Sequence, residues 1–116
     1  MMKDWNAYRA EVSGRLGEFG ALSPDVLQGL DKIGGSAAKT NHLGAKVHEL
    51  IALAVAVTTR CDGCISFHTK SAVEAGATRE EIAEALGVAV SLNAGAAIVY
   101  SARVFDAHAA LPEAQK

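Results

Sequence analysis

Three stretches of this 116-residue chain are apolar almost all the way round a helix: LIALAVAV (50–57), ALGVAVSL (85–92) and AAIVYSA (96–102). Such segments need cover on every side, and a chain of this length has too little polar surface to hide three of them internally. The expectation is a chain that covers them by packing against copies of itself, and its many alanines permit the close helix approach this requires. Half of the residues are apolar, enough for one core in a single all-helical domain spanning residues 1–116.

Helical punctuation runs from end to end. Trp5, Tyr8, Val12, Leu16 and Phe19 recur at intervals of three and four, one stripe of a helix that Asp4 could cap. In SPDVLQGLDKIGG, Ser23 is placed to cap, Pro24 suits the first turn, and Gly34-Gly35 forms a stop. The polar SAAKTNHLG reads as a connection. A third helix is expected over Ala45–Thr59, a fourth over Cys61–Ala75 ending at Gly76, and a fifth over Arg79–Leu92, where Thr78 and Glu81 have capping-box spacing. Asn93 to Gly95 is expected to break the chain before a sixth helix that Pro112 closes. Strand signals are weak, with no Asn-Gly or Asp-Gly hairpin between alternating runs. The fold class is all-α, a compact bundle of about six helices.

The formal net charge is −2 and no basic run of five appears, so neither nucleic acid nor an anionic membrane surface is an expected partner. Charged Asp4, Arg9 and Glu11 interrupt the N-terminus where a secretion signal would be apolar. The longest uninterrupted apolar run is eight residues, against roughly 20 for a membrane-crossing helix. A soluble, cytoplasmic protein is expected. In a reducing cytosol the two cysteines are not expected to serve as a permanent staple.

Both cysteines lie within RCDGCISFH (60–68). On a helix Cys61, Cys64 and His68 fall within roughly 60° of arc. Cys64 and His68, four apart, can bring imidazole and thiol together, and the helix start favours thiolate over thiol. Cysteines three apart are also close enough to cycle between dithiol and disulfide. Glu49 is the one acid on an otherwise apolar helix side, since Ala52, Leu53 and Ala56 are its neighbours at i+3, i+4 and i+7. Its carboxylate needs a polar partner on another helix, and an antiparallel return would set it opposite the His68 end of the cysteine helix. Glu, His and Cys then follow the logic of an activated nucleophile.

Simple packing of the cysteines is the plain alternative. A zinc site or a structural helical protein built on Cys61, Cys64 and His68 is another, with Glu49 or a second histidine as fourth ligand, though no second CxxC or HxxxH pair closes the set. His42, His48 and His108 read as surface or capping residues, Asp62 as a charge complementing the helix dipole, and Trp5 and Tyr100 as core or interface anchors. A thioredoxin fold needs βαβ units, which the chain does not offer.

Glu49, Cys61, Cys64 and His68, followed by EAGATREEIAEAL, resemble the carboxymuconolactone decarboxylase superfamily in its alkylhydroperoxidase D-like, CxxC-containing branch, over about residues 46–105. The resemblance implies an all-helical fold assembled as trimers or hexamers and a peroxidase or thiol–disulfide activity. Cys64 would attack the hydroperoxide, Cys61 would resolve, and His68 and Glu49 would relay the proton. No metal or organic cofactor is implied, and a lipoyl-bearing or thioredoxin-like dithiol would act as reductant. Action on a small lactone is a further alternative, although the true decarboxylases lack the cysteine pair. The best-known peroxidase members carry a histidine between the cysteines; here Gly63 stands there.

Overall fold

The computed structural model describes residues Met1–Lys116 and contains helices but no strands. Helix α1 (Trp5–Leu22) begins where the Asp4 carboxylate accepts the Ala7 N–H at 3.0 Å. Pro24 opens α2 (Pro24–Gly34), which stops at Gly35; Ser23 occupies the cap position without a side-chain cap bond. The polar connection differs from expectation, because Ser36–Thr40 winds into a short helix, α3, that ends at Asn41 in the left-handed region. Helices α4 (Ala45–Thr59) and α5 (Asp62–Glu74) follow, and Gly76, at φ +90°, turns the chain toward α6 (Arg79–Ala109). A short 3₁₀ turn, Glu113–Gln115, follows Pro112.

Helix α6 corrects the expected pair of helices. It runs unbroken through Asn93–Gly95 for 31 residues. Asn93 does not divert the chain: its side-chain amide donates to its own helix at Ala89 O, 2.7 Å, and across to Thr58 Oγ1 on α4, 2.9 Å. Gly95 costs a helix about 1 kcal/mol relative to alanine, and the flanking Ala94, Ala96 and Ala97 are the best helix formers. At its start the capping box forms in full, with Glu81 N–H on Thr78 Oγ1 at 3.0 Å and Thr78 N–H on Glu81 Oε1 at 3.3 Å.

Continuity also changes the hydropathy picture drawn from the eight-residue run. Within α6 an 18-residue window has mean hydropathy 1.7, long and apolar enough to cross a membrane by length and composition alone. Only 6% of that window is buried within the chain.

Helix α4 is the hub, packed on one side by α5 and on another by α6, while α1 lies along α5. The small core consists of Leu53 (3% exposed), Ala72 and Ala77, with Leu50 and Ile82 against it. Only six residues are buried, and Ile98, Val99 and Phe105 on the distal half of α6 stand roughly three-quarters exposed. The Cα radius of gyration is 19.6 Å, against about 13 Å for a compact chain of this size. Compactness, as expected from the sequence, does not hold for the isolated chain, because the far half of α6 has nothing to pack on.

Candidate functional site

The turn between α4 and α5 builds the site. Helix α4 ends with Arg60 in the left-handed conformation, φ 56° and ψ 48°, an uncommon state for a residue with a Cβ. One extended residue later, Cys61 caps α5, so the chain reverses within two residues and α5 returns along α4. The sulfur of Cys61 accepts the Cys64 N–H at 3.1 Å, the bond that a serine or aspartate oxygen ordinarily provides at a helix start. The capping sulfur is thereby held one helical turn from Cys64.

Cys61 and Cys64 are joined as a disulfide with Cα atoms 5.2 Å apart, and both are partly exposed. His68, one turn beyond Cys64, faces Glu49 on α4: Nδ1 lies 2.6 Å from Glu49 Oε2. The Glu49 side chain is 23% exposed and that of His68 41%, so the pair sits at the rim of the α4–α5 seam. A carboxylate accepting the Nδ1 proton fixes the ring and leaves Nε2 as the nitrogen able to take up or release a proton. In this oxidised state His68 makes no hydrogen bond to either sulfur. The four candidate residues thus share one seam: Cys61 at the cap, Cys64 in the first turn, His68 one turn on, and Glu49 across from it.

No three or more His, Cys, Asp or Glu side chains converge in a way that could hold a metal ion. The ligand set of the zinc alternative is not assembled, because Glu49 engages the imidazole and the sulfurs engage each other.

Several neighbouring contacts were not foreseen in the sequence. Asp62 does lie in the first turn of α5, but it also binds Lys3 Nζ at 2.6 Å. Lys3 in turn sits over Tyr8, 4.1 Å from the ring centroid, and near Trp5, 5.3 Å. The Asp62 hydrogen bond holds the Lys3 ammonium above the usual lysine range. Arg9 of α1 donates to Ser66 Oγ at 3.2 Å, and Ser66 donates to the Trp5 carbonyl at 3.3 Å. Contacts across some 60 residues of sequence carry no local signal. Of the anchors expected, Trp5 packs edge-on to Tyr8, whereas Tyr100 is exposed beside Arg103.

Residues 24–107 match the Carboxymuconolactone decarboxylase family. The chain belongs to that family. The match begins some twenty residues before the stretch that carried the resemblance in sequence, taking in α2 and α3. Within the family, the Cys61–Cys64 pair agrees with the alkylhydroperoxidase D-like, CxxC-containing branch. An apo crystal structure of a carboxymuconolactone decarboxylase family protein from Legionella pneumophila is similar, with a TM-score of 0.72 at 35% identity over 89% of this chain and 92% of that one. A protein from Methanobacterium thermoautotrophicum superposes with a TM-score of 0.69 at 31% identity, over 77% of this chain and 97% of its own. In sequence the chain is 50% identical to an uncharacterized protein of Haemophilus influenzae over 93% of this chain and 96% of that one. It is also 38% identical to uncharacterized protein 4 in the cox locus of Paracoccus denitrificans, over 78% and 82%.

Proposed function

We propose that this family member is a two-cysteine thiol–disulfide oxidoreductase that reduces hydroperoxides. The observation that carries the reading is the Glu49–His68 contact one turn along α5 from a joined Cys61–Cys64 pair. In the reduced protein the Cys64 thiolate attacks the terminal oxygen of ROOH. The O–O bond breaks, Cys64 becomes a sulfenic acid, and the alkoxide leaves as ROH with a proton from His68. Cys61 then attacks the sulfenic sulfur, hydroxide departs as water, and the disulfide forms. An external dithiol, from a lipoyl-bearing or thioredoxin-like protein, reduces the pair and is itself oxidised to a disulfide. The chain's own residues supply every proton and sulfur of the oxidative half, so no metal or organic cofactor enters it.

The reading includes assembly into a trimer or hexamer. Exposed Ile98, Val99, Val104 and Phe105 on α6, with the large radius of gyration, support a partner copy as their cover. Light scattering is expected to give three or six times 12.0 kDa, and a monomer mass at micromolar concentration contradicts that part of the proposal.

The roles are tested by thiol counting. Less than one equivalent of hydrogen peroxide is expected to remove thiols from reduced wild-type protein two at a time, without stable sulfenic acid. Cys64→Ser is expected to stay unreacted, and Cys61→Ser to accumulate a sulfenic acid that a dimedone-type probe traps. Equal oxidation of the two single variants overturns the assignment.

A further inference from the structure

The face of α5 turned away from the cysteines borders a cleft that the redox chemistry does not use. It lies between α1 and α5, has a volume of about 510 Å³ and includes Trp5, Asn6, Arg9, Ile65, Thr69 and Lys70 in its lining. On the helical wheel this face is centred roughly 140° from the Cys61, Cys64, His68 stripe. The volume is in the range of sites that enclose small organic ligands.

Its chemistry is one-sided. Arg9 and Lys70 are cations and no acid lines the cleft, although the chain as a whole carries a net negative charge. Arg9 is also held in place. Nη1 donates to Ser66 Oγ at 3.2 Å and Nη2 to Asn6 Oδ1 at 2.6 Å, while Ser66 itself is 5% exposed. A guanidinium has five N–H donors, so three remain for a ligand on a group whose orientation is already fixed. Asn6, Arg9 and Lys70 also line an adjoining cleft of about 430 Å³, which makes the two cations the saddle between both. Beside them the Trp5 ring and Ile65 offer apolar cover. Lys70 pairs with Glu74 on the exposed side of α5, and an arriving anion competes with that carboxylate.

We infer that this cleft binds a small organic anion, a carboxylate with an aryl or alkyl body: the head group on Arg9 and Lys70, the body against Trp5 and Ile65. This is a second site on the cysteine helix and does not depend on the peroxidase reading.

Trp5 is the only tryptophan of the chain, so its fluorescence reports on this cleft directly. Titration of the full-length disulfide form, and of Cys64→Ser, with phenylacetate is expected to give a saturable change. Phenylacetamide, the same body without charge, is expected to bind at least tenfold more weakly, as is phenylacetate to Arg9→Gln. Because Arg9→Gln also removes the bond to Ser66, two surface variants provide an independent reading: Lys70→Gln weakens binding and Glu74→Gln, which frees Lys70, tightens it. Equal response to acid and amide, or indifference to both Lys70→Gln and Glu74→Gln, overturns the inference. No peroxide chemistry runs in Cys64→Ser, so either proposal can fail without the other.

Discussion

Glu49 and His68, 19 residues apart in sequence and on different helices, meet at 2.6 Å between Oε2 and Nδ1. The contact orients the imidazole with one nitrogen committed to the carboxylate and the other open. Replacing Glu49 by Gln keeps the shape but removes the charge. The rate of Cys64 oxidation by peroxide is expected to fall by roughly tenfold or more, and His68→Ala by about 10²-fold, the low end for removal of a general acid–base group. Stopped-flow thiol loss measures both. Rates equal to wild type in both variants exclude the relay.

The fold depends on one large buried side chain. Leu53 fills the seam where α4 meets Ala72 of α5 and Ala77 in the turn before α6. Leu53→Ala is expected to cost about 2–5 kcal/mol, the range for truncating a core leucine. Chemical denaturation reads this as a lower midpoint at unchanged slope. A cost under about 0.5 kcal/mol, typical of surface sites, places the core elsewhere.

The α4–α6 contact carries a pH signature. Lys46 Nζ lies 2.8 Å from Glu81 Oε2, and hydrogen bonds from Lys46 and then from the Thr78 backbone hold the Glu81 carboxyl below its ordinary range. A depressed carboxylate contributes stability above its unfolded-state value near 4.5, and that contribution disappears as the pH falls through the folded value. Glu81→Gln is therefore expected to lower Tm at pH 7 and to flatten the acid limb of the Tm profile. Lys3, raised by Asp62, acts in the opposite direction: its contribution is present below its unfolded-state value near 10.5 and is lost as the pH rises through the higher folded value. Lys3→Gln is expected to flatten the alkaline limb of the Tm profile.

Helix glycines offer a further test. A Cβ at Gly17 of α1 meets nothing within 4 Å, and the position is helical. Gly17→Ala is expected to raise stability by about 0.5–1 kcal/mol through helix propensity. A loss instead of a gain shows that another surface approaches α1 closely at this residue.

Much of this architecture was legible in sequence because its signals are local. The Thr78–Glu81 box, the Asp4 cap, Pro24 and the Ala45–Thr59 run all act within a few residues, and each appears where its chemistry requires. Asn93–Gly95 misled for a physical reason. Asparagine breaks a helix when its amide satisfies turn groups, and here the amide is occupied by Ala89 O and Thr58. Arg60 in the left-handed turn had no glycine or asparagine to mark it, and a cysteine is not an ordinary helix cap. The proximity of Glu49 to His68 was legible because an acid on an apolar face demands a partner. Lys3–Asp62 and Arg9–Ser66 join exposed or weakly patterned positions across the fold, and no rule of spacing reaches them.

The pH dependence of Cys64 alkylation, measured on reduced Cys61→Ser protein with and without His68→Ala, tests the central claim most directly. Activation by the imidazole and the start of α5 predicts a midpoint clearly below the ordinary thiol value of about 8.5, moving up when His68 is removed. A midpoint at or above that value, unmoved by His68→Ala, contradicts the account.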